Sequence, residues 1–134
     1  MERLILDTGV LVAAARGRLA VSALHDGDDV AVPAVVIAEY LAGVLLDDDP
    51  ARRAVQRAFL DDVLTVVPVC DYDHTVAEHH AQLLAHTHRT GRKRGAHDLL
   101  IAATALATDR ALLTTDGRAR FHELPGVTAR TIAT

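Results

Sequence analysis

Four carboxylates in this chain stand beside short apolar segments, where an isolated charge would be costly. Asp7 follows RLIL, Glu39 lies within VVIAEYLAG, Asp98 opens DLLIAATAL and Asp116 follows ALLTT. Acidic side chains that such neighbours desolvate need a partner charge, hydrogen bonds or a bound cation. Because no Lys or Arg stands directly beside any of the four, their pattern predicts a site for a hard metal ion.

The chemistry that such a site supports is metal-assisted phosphoryl transfer. Mg²⁺ and Mn²⁺ prefer carboxylate oxygens and water, and ions held by an acidic cluster activate water and stabilise the leaving oxygen of a phosphodiester. We assign all four acids as candidate catalytic residues. Asp7 and Asp98 would be direct metal ligands, and Asp116 would hold a second ion or a metal-bound water. Glu39 would ligate through water or take the proton of the attacking water.

Each acid also has a structural alternative. Asp7 or Asp98 alone is more often a helix N-cap than a ligand, and Asp116 with Gly117 is a common turn pair. Glu39 is harder to explain as a solvated residue, although an arginine partner would satisfy it. The four acids together, in this order, favour the metal site.

Strands and helices alternate along the chain. The apolar runs predict strands at residues 3–6, 28–33, 64–69, 111–115 and 127–132, and helices at residues 10–15, 34–46, 50–63, 73–90 and 98–107. This alternation predicts an α/β fold, a three-layer α/β/α sandwich with a central parallel sheet. We expect one domain over residues 1–134, since no linker divides the chain.

The helices differ in their predicted faces. Residues 34–46 are apolar all round, which predicts a buried helix, and residues 98–107 predict a second one. Asp49 and Pro50 mark the start of the helix at 50–63, whose apolar face would hold Val55, Ala58 and Phe59. The helix at 73–90 is polar, with Val76, Leu83 and Leu84 as its apolar positions.

These elements would bring the acids together. In open parallel sheets, ligands bind at the carboxyl ends of the strands, near the point where strand order reverses. Asp7 follows the first strand and Asp116 follows a later one, so both lie at that edge. Asp98, at a helix start, and Glu39, inside a helix, would converge there.

Composition restricts the functions that remain. With a net charge of −4, the chain lacks the broad basic surface of many nucleic-acid-binding domains, so contacts with RNA or DNA must be local. Cys70 is alone, which excludes an intrachain disulfide. No apolar stretch is long enough to span a membrane and no leader pattern is present, so we expect a cytoplasmic protein without membrane contacts.

A basic segment, RTGRKRG at residues 89–95, precedes Asp98. Arg92, Lys93 and Arg94 are candidate contacts for the phosphates of a nucleic-acid substrate on either side of the scissile bond, and a solvated loop is an equally good interpretation. Only 3% of the residues are aromatic, so base stacking is not the main mode of recognition. If the substrate is RNA, a structured one, such as a tRNA or an rRNA, is a better candidate than a bare single strand.

The four segments LDTGVLVA, PAVVIAEYLAG, HDLLIAATAL and LLTTD resemble those of a PIN domain, and more narrowly of a VapC-like toxin ribonuclease from a type II toxin–antitoxin system. The resemblance covers nearly the whole chain. It implies the α/β/α sandwich and Mg²⁺- or Mn²⁺-dependent cleavage of RNA, with metal-site roles for the four acids. It also implies a homodimer and inhibition by a cognate antitoxin.

One position departs from this family. The family often has Ser or Asn where this chain has Gly9, which removes a possible hydrogen bond near the metal site. Thr8 and Thr115 would supply hydroxyls to the site and its substrate in compensation. His97, beside Asp98, would contact the substrate or shape the start of the helix.

Two other functions compete with a toxin ribonuclease. The first is a PIN-like nuclease in RNA processing or DNA structure cleavage, although such proteins usually carry extra domains. The second is a non-catalytic partner-binding domain in which the acids are caps and core ion pairs. Independently of these functions, the apolar residues of 34–46 and 50–63 form either a groove for a partner helix or ordinary core packing.

Overall fold

The computed structural model describes residues 1–19 and 27–133. Its strands are β1 Arg3–Leu6, β2 Asp29–Pro33, β3 Val69–Cys70, β4 Ala111–Thr114 and β5 Ala129–Thr131. Its α-helices are α1 Thr8–Ala15, α2 Ala34–Leu46, α3 Pro50–Leu64, α4 His74–Thr90 and α5 Ala96–Ala107. Two short 3₁₀ turns, Gly117–Ala119 and Phe121–Glu123, follow β4.

The strands form one parallel sheet in the order β3-β2-β1-β4-β5. Leu4 of the central strand lies beside Val30 of β2 on one side and Ala111 of β4 on the other. The chain therefore winds outwards from β1 to β3 and then returns to add β4 and β5 on the opposite side. Strand order reverses between β1 and β4, and this reversal creates a crevice at their carboxyl ends.

The core sits on both faces of this sheet. Leu4, Ile5 and Leu6 of β1 are fully buried, as are Leu112 and Leu113 of β4. Helices cover the two faces: α1 packs on α2, α2 packs on α3, and α4 packs on α5. Strands buried on both faces are continuous apolar runs, which is the pattern of RLIL and ALLT. The predicted three-layer α/β/α sandwich with a parallel sheet is confirmed.

Capping residues set several helix boundaries. The Asp49 side chain accepts hydrogen bonds from the first backbone N–H groups of α3, and Pro50 occupies the first turn, as predicted. The Asp73 carboxylate accepts from the Val76 N–H at 2.9 Å at the start of α4. Gly91 ends α4 in the left-handed conformation that glycine adopts without steric cost. Helix α1 begins at Thr8, two residues earlier than its apolar pattern predicts.

Two predicted features were wrong. The strand expected at residues 64–69 is reduced to the two residues of β3, because Leu64 completes α3 and a turn follows it. The buried face of α3 consists of Leu60 and Val63, with Phe59 half-buried, whereas Val55 and Ala58 are exposed. Residues 3 and 4 apart share a helix face, but spacing does not say which of two such faces meets the core.

Helix α2 is also less buried than its all-round apolarity predicts. Val36, Tyr40 and Val44 face the core, while Leu45 and Leu46 are largely exposed. On α4, Val76 and Leu83 are buried as predicted, and Leu84 is half-exposed. Helix α5 is buried along Ile101–Ala105 as predicted. Among the described residues, no helix combines the length and apolarity needed to cross a bilayer.

Candidate active site

Asp7 is the buried member of the acidic group. It directly follows β1, its backbone N–H donates to the Leu113 carbonyl of β4 at 2.9 Å, and the residue is only 8% exposed. Its Oδ1 accepts from the Thr8 N–H at 2.7 Å, so Asp7 does cap α1 as the structural alternative proposed. A cap uses one carboxylate oxygen and does not require burial, so capping alone does not explain this position.

Thr114, at the end of β4, joins two of the acids. Its hydroxyl donates to Asp7 Oδ2 at 2.7 Å and accepts from the Asp116 N–H at 3.0 Å, and the residue is 2% exposed. The bond to Asp7 bridges the crevice between β1 and β4. Our sequence analysis named Thr115 and not Thr114 as a site residue. The segment LLTTD contains both: Thr114 is the last residue of β4, and Thr115 follows the strand.

Asp98 occupies the first turn of α5 and is not its N-cap. Gly95 is the N-cap residue, without a side-chain cap, so this structural alternative for Asp98 is wrong. Among the described residues Asp98 forms no hydrogen bond or ion pair through its carboxylate. A Cβ atom on Gly95 would lie 3.0 Å from Asp98 Oδ2, so the absence of a side chain at residue 95 leaves room for this carboxylate.

Glu39 is held at the rim of the crevice from α2. Its Oε1 accepts from the Thr8 hydroxyl at 3.0 Å, and its Oε2 lies 3.4 Å from Nδ1 of the exposed His97. Thr8 therefore links Glu39 to the first turn of α1, directly after Asp7. No arginine pairs with Glu39 among the described residues, so the alternative of an arginine partner is wrong, and His97 is the basic side chain nearest to it.

The acids repel one another. Burial raises the pKa of Asp7, and the charges of Glu39 and Asp116 raise it further, while the hydrogen bonds from Thr114 and Thr8 lower it. Burial likewise raises the pKa of Asp98, with further increases from Asp7, Asp116 and Glu39. Only His97 acts in the opposite direction on Asp98. Within the described ranges no Lys or Arg forms an ion pair with the four acids, so a bound cation would relieve this repulsion.

The donor set suits a divalent cation that keeps part of its water shell. Four carboxylates offer hard oxygen ligands near one another, but no group of three or more His, Cys, Asp or Glu side chains in the described part of the chain is arranged to hold an ion alone. Mg²⁺ is commonly held by one or two carboxylates together with water and substrate phosphate. The residues present fit that kind of site and do not fit a closed, all-protein cage.

Gly9 is required by the hydroxyl of Thr115. A Cβ atom at residue 9 would collide with Thr115 Oγ1. The Thr115 side chain, which follows β4, therefore occupies the space next to α1 that a side chain at residue 9 would need. The hydroxyl predicted to compensate for Gly9 thus lies against Gly9, and Thr115 itself is half-buried. Asp116 is exposed, and its Oδ1 accepts from the Arg118 N–H at 2.9 Å, so the turn role proposed for it is also present.

Comparison with known proteins identifies the family. The model of the PIN domain matches residues 4–127 of this chain. The chain belongs to the PIN-domain family. Ribonuclease VapC of Rickettsia bellii is 26% identical over 129 residues, which span 96% of each protein. Ribonuclease VapC5 of Mycobacterium tuberculosis is 35% identical over 114 residues, which span 84% of this PIN domain and 82% of the relative.

Solved structures agree with the fold. VapBC-5 of Mycobacterium tuberculosis, a toxin–antitoxin system, matches with a TM-score of 0.75 and 28% identity over 97% of both chains. VapBC2 of Rickettsia felis, solved on a DNA fragment from its promoter, matches with a TM-score of 0.85 over 96% of this chain and 98% of that one. At 22% identity the second match supports the sandwich fold alone.

The basic segment of this PIN domain is partly structural. The Arg94 side chain is only 11% exposed, and its Nη1 donates to the carbonyls of Ala119 and Arg120 at 2.6 and 3.1 Å. Its Nη2 lies 3.3 Å from Glu123 Oε2, which also accepts from Arg92. Arg94 therefore anchors the turns after β4, while Lys93 is exposed. The interpretation as a solvated loop is therefore wrong for Arg94, whereas Arg92 and Lys93 are exposed.

A separate apolar groove lies between α1, α2 and α3 of the PIN domain. It has a volume of about 760 Å³, and its lining includes Val12, Tyr40, Leu46 and Val55. Leu46 is 82% exposed and Val55 is 69% exposed. The apolar residues of 34–46 and 50–63 are thus not all ordinary core, and part of them faces this groove.

Proposed function

We propose that this protein is a metal-dependent endoribonuclease toxin that cleaves RNA by hydrolysis of a phosphodiester and is neutralised by a cognate antitoxin. One observation carries the proposal most directly. Four carboxylates repel one another at the strand-order reversal of a PIN domain, and within the described residues no Lys or Arg forms an ion pair with any of them. Relatives of similar length are named ribonuclease VapC, which supports RNA as the substrate.

The acids divide into roles according to their surroundings. Asp7 and Asp98 would be the direct ligands, because both are desolvated and both lie among the other acids. Asp116, more exposed, would hold a second ion or a metal-bound water. When bound, Mg²⁺ or Mn²⁺ would supply Lewis-acid stabilisation of the cleaved phosphodiester and lower the pKa of the attacking water.

Glu39 is the best candidate to receive the proton of that water. The Thr8 hydroxyl holds one of its oxygens, and His97 lies 3.4 Å from the other. A carboxylate fixed by a hydroxyl and half-exposed to solvent is positioned to accept a proton and pass it to bulk water. Thr8 is thereby a positioning residue for Glu39, a narrower role than the substrate contact proposed from the sequence. Thr115 remains a candidate for a substrate contact.

The apolar groove suits the antitoxin. Solved relatives of this fold include VapBC toxin–antitoxin complexes, one of them 28% identical to this chain. We infer that an amphipathic segment of the cognate antitoxin places its apolar side chains against Leu46 and Val55 in the groove. Asp48, an exposed residue of the same groove, would pair with basic side chains of that segment.

Other expectations of the resemblance remain predictions. We infer a homodimer, which light scattering of the purified protein tests, and one nuclease domain over residues 1–134. Because the substrate is an RNA, with a tRNA or rRNA as the leading candidates, we place the activity in the cytoplasm. The identity of the ion, Mg²⁺ or Mn²⁺, is settled by comparing both in the assay below.

The first test is cleavage of total cellular RNA by the purified, antitoxin-free protein. We expect discrete fragments with Mg²⁺ or Mn²⁺, none in EDTA, and none with Asp7→Asn or Asp98→Asn. Asp61→Asn is the matched control, because Asp61 is an exposed aspartate on α3 whose ion-pair partner is Arg57. It should cleave as the wild type does.

Two results would contradict the proposal. If a folded protein neither cleaves RNA nor gains thermal stability with either metal, the acids are structural and the protein is a non-catalytic binding domain. If cleavage occurs but expression without the antitoxin does not arrest growth, a PIN-like nuclease of RNA processing replaces the toxin.

A further inference from the structure

A basic cavity lies beside the acidic centre. Its volume is about 370 Å³, and Asp98 forms part of its wall. Its charged lining consists of five cationic and two anionic residues: Arg92, Lys93, Arg94, Arg118, Arg120, Asp98 and Glu123. That is a local excess of three positive charges in a chain whose net charge is −4. A local positive charge of this size in an acidic protein indicates a site for an anion.

The cavity is built in two layers. Arg94, largely buried, donates to the Ala119 and Arg120 carbonyls and to Glu123, and so fixes the two 3₁₀ turns against the start of α5. Arg92 and Arg94 together occupy Glu123 Oε2. The single glutamate of the cavity is therefore already paired, and it does not neutralise the remaining cations.

The outer layer consists of Lys93, Arg118 and Arg120, which are available to bind a ligand. Lys93 and Arg118 form no ion pair among the described residues, and Arg120 approaches Glu123 only to 3.9 Å. Arg120 holds a left-handed backbone with φ of 50°, which is strained for a residue other than glycine. Its carbonyl accepts a hydrogen bond from Arg94 at 3.1 Å, and Arg120 ends the first 3₁₀ turn; both Arg118 and Arg120 line the cavity.

The cavity lies next to two of the four acids, Asp98 and Asp116. Asp98 is in its wall, and Arg118 is two residues after Asp116, to which its backbone N–H donates. We propose that this cavity is a subsite for the RNA phosphate next to the scissile one, held by Lys93, Arg118 and Arg120. The subsite rests on the proposed ribonuclease function and specifies how its substrate is placed. Arg94 is then a positioning residue, and Arg118 and Arg120 join the substrate contacts.

The test is the salt dependence of RNA binding in EDTA. Binding of fluorescein-labelled octauridylate to the wild type, Arg118→Gln, Arg120→Asn and the double variant is followed by anisotropy across a salt series. Asn suits residue 120 because it tolerates the left-handed backbone. Each phosphate contact on a single strand contributes about 0.7 to the slope of log K against log salt. Because the subsite holds one phosphate, we expect the slope of the double variant to be smaller in magnitude by about 0.7, and the slope of each single variant to lose part of that amount.

Arg57→Gln is the matched control, since Arg57 is an exposed arginine on α3 that pairs with Asp61. It should keep the wild-type slope. Wild-type slopes in the double variant, or no binding by the wild type at low salt, would overturn the subsite. Metal-dependent cleavage measured in parallel separates the two proposals. Cleavage with unchanged slopes removes the subsite alone, whereas altered slopes without cleavage by the wild type remove the ribonuclease and leave an RNA-binding site.

Discussion

Thr114→Val should uncouple β4 from the acidic centre. The side chains of Thr and Val have nearly the same volume, so the change removes the hydroxyl without opening a cavity. Asp7 Oδ2 loses a donor at 2.7 Å in a residue that is only 8% exposed. A hydrogen bond to a charged group contributes about 1.5–3 kcal/mol, and the lost acceptor for the Asp116 N–H adds about 0.5–1 kcal/mol. We expect a total loss of about 2–4 kcal/mol, or roughly 10 °C in Tm.

The same change should impair catalysis. The Thr114 hydrogen bond lowers the pKa of Asp7, so its removal raises that pKa further and favours the protonated acid, which does not bind metal. Losing a partner that orients a metal ligand typically costs about 10–100-fold in metal affinity or activity. We therefore expect weaker metal binding and an acid limb of the pH–rate profile that moves to higher pH.

Two variants complete this experiment. Thr104→Val is the matched control, because Thr104 is equally buried but its hydroxyl donates to the Leu100 carbonyl within its own helix at 2.7 Å. It should cost no more than about 1 kcal/mol and leave cleavage unchanged. Thr114→Ser keeps the hydroxyl and should retain the pH profile. If Thr114→Val matches Thr104→Val in thermal unfolding and in cleavage, the role assigned to this hydroxyl is wrong.

Three further changes test other parts of the site. In EDTA, the ionised form of Asp98 is unfavourable because its pKa lies above the usual 3.8. Stability should therefore fall as pH rises through the raised pKa, and Asp98→Asn should flatten that fall in thermal melts; a steeper fall would contradict the repulsion. Gly9→Ala should stabilise α1 by about 0.5–1 kcal/mol, but only in combination with Thr115→Ala, which removes the colliding hydroxyl. A double-mutant cycle measures this coupling between the two positions. Arg94→Ala should cost about 2–3 kcal/mol in urea unfolding, since two carbonyls and Glu123 lose their donor; a change near zero would show a solvated side chain.

The sheet and the acids were predictable because their patterns are local. A buried parallel strand needs a continuous apolar run, and an acid directly after such a run must lie at the sheet's carboxyl edge. This reasoning located Asp7 and Asp116 correctly. The bounds predicted for β3 were wrong because VVPV is equally compatible with a turn, and its pairing with β2 decides which residues are extended.

Other features depend on contacts between distant residues. Thr114 matters because it meets Asp7, 107 residues away, and no local spacing reports that encounter. Arg94 looked like its neighbours in RTGRKRG, but the turns after β4 bury it. Likewise, which apolar residues of α2 and α3 are exposed depends on how these helices pack against the rest of the fold. The spacing of apolar residues along a helix does not carry this information.

The order of the strands has a consequence for synthesis of the protein. Asp7 lies near the start of the chain, but its partner Thr114 belongs to β4, which pairs beside β1 only after more than a hundred intervening residues have been made. Chains that have not yet reached β4 hold Asp7, Glu39 and Asp98 without the strand that closes the crevice. The closed crevice therefore forms late in folding, because it requires the pairing of two strands that lie far apart in the sequence.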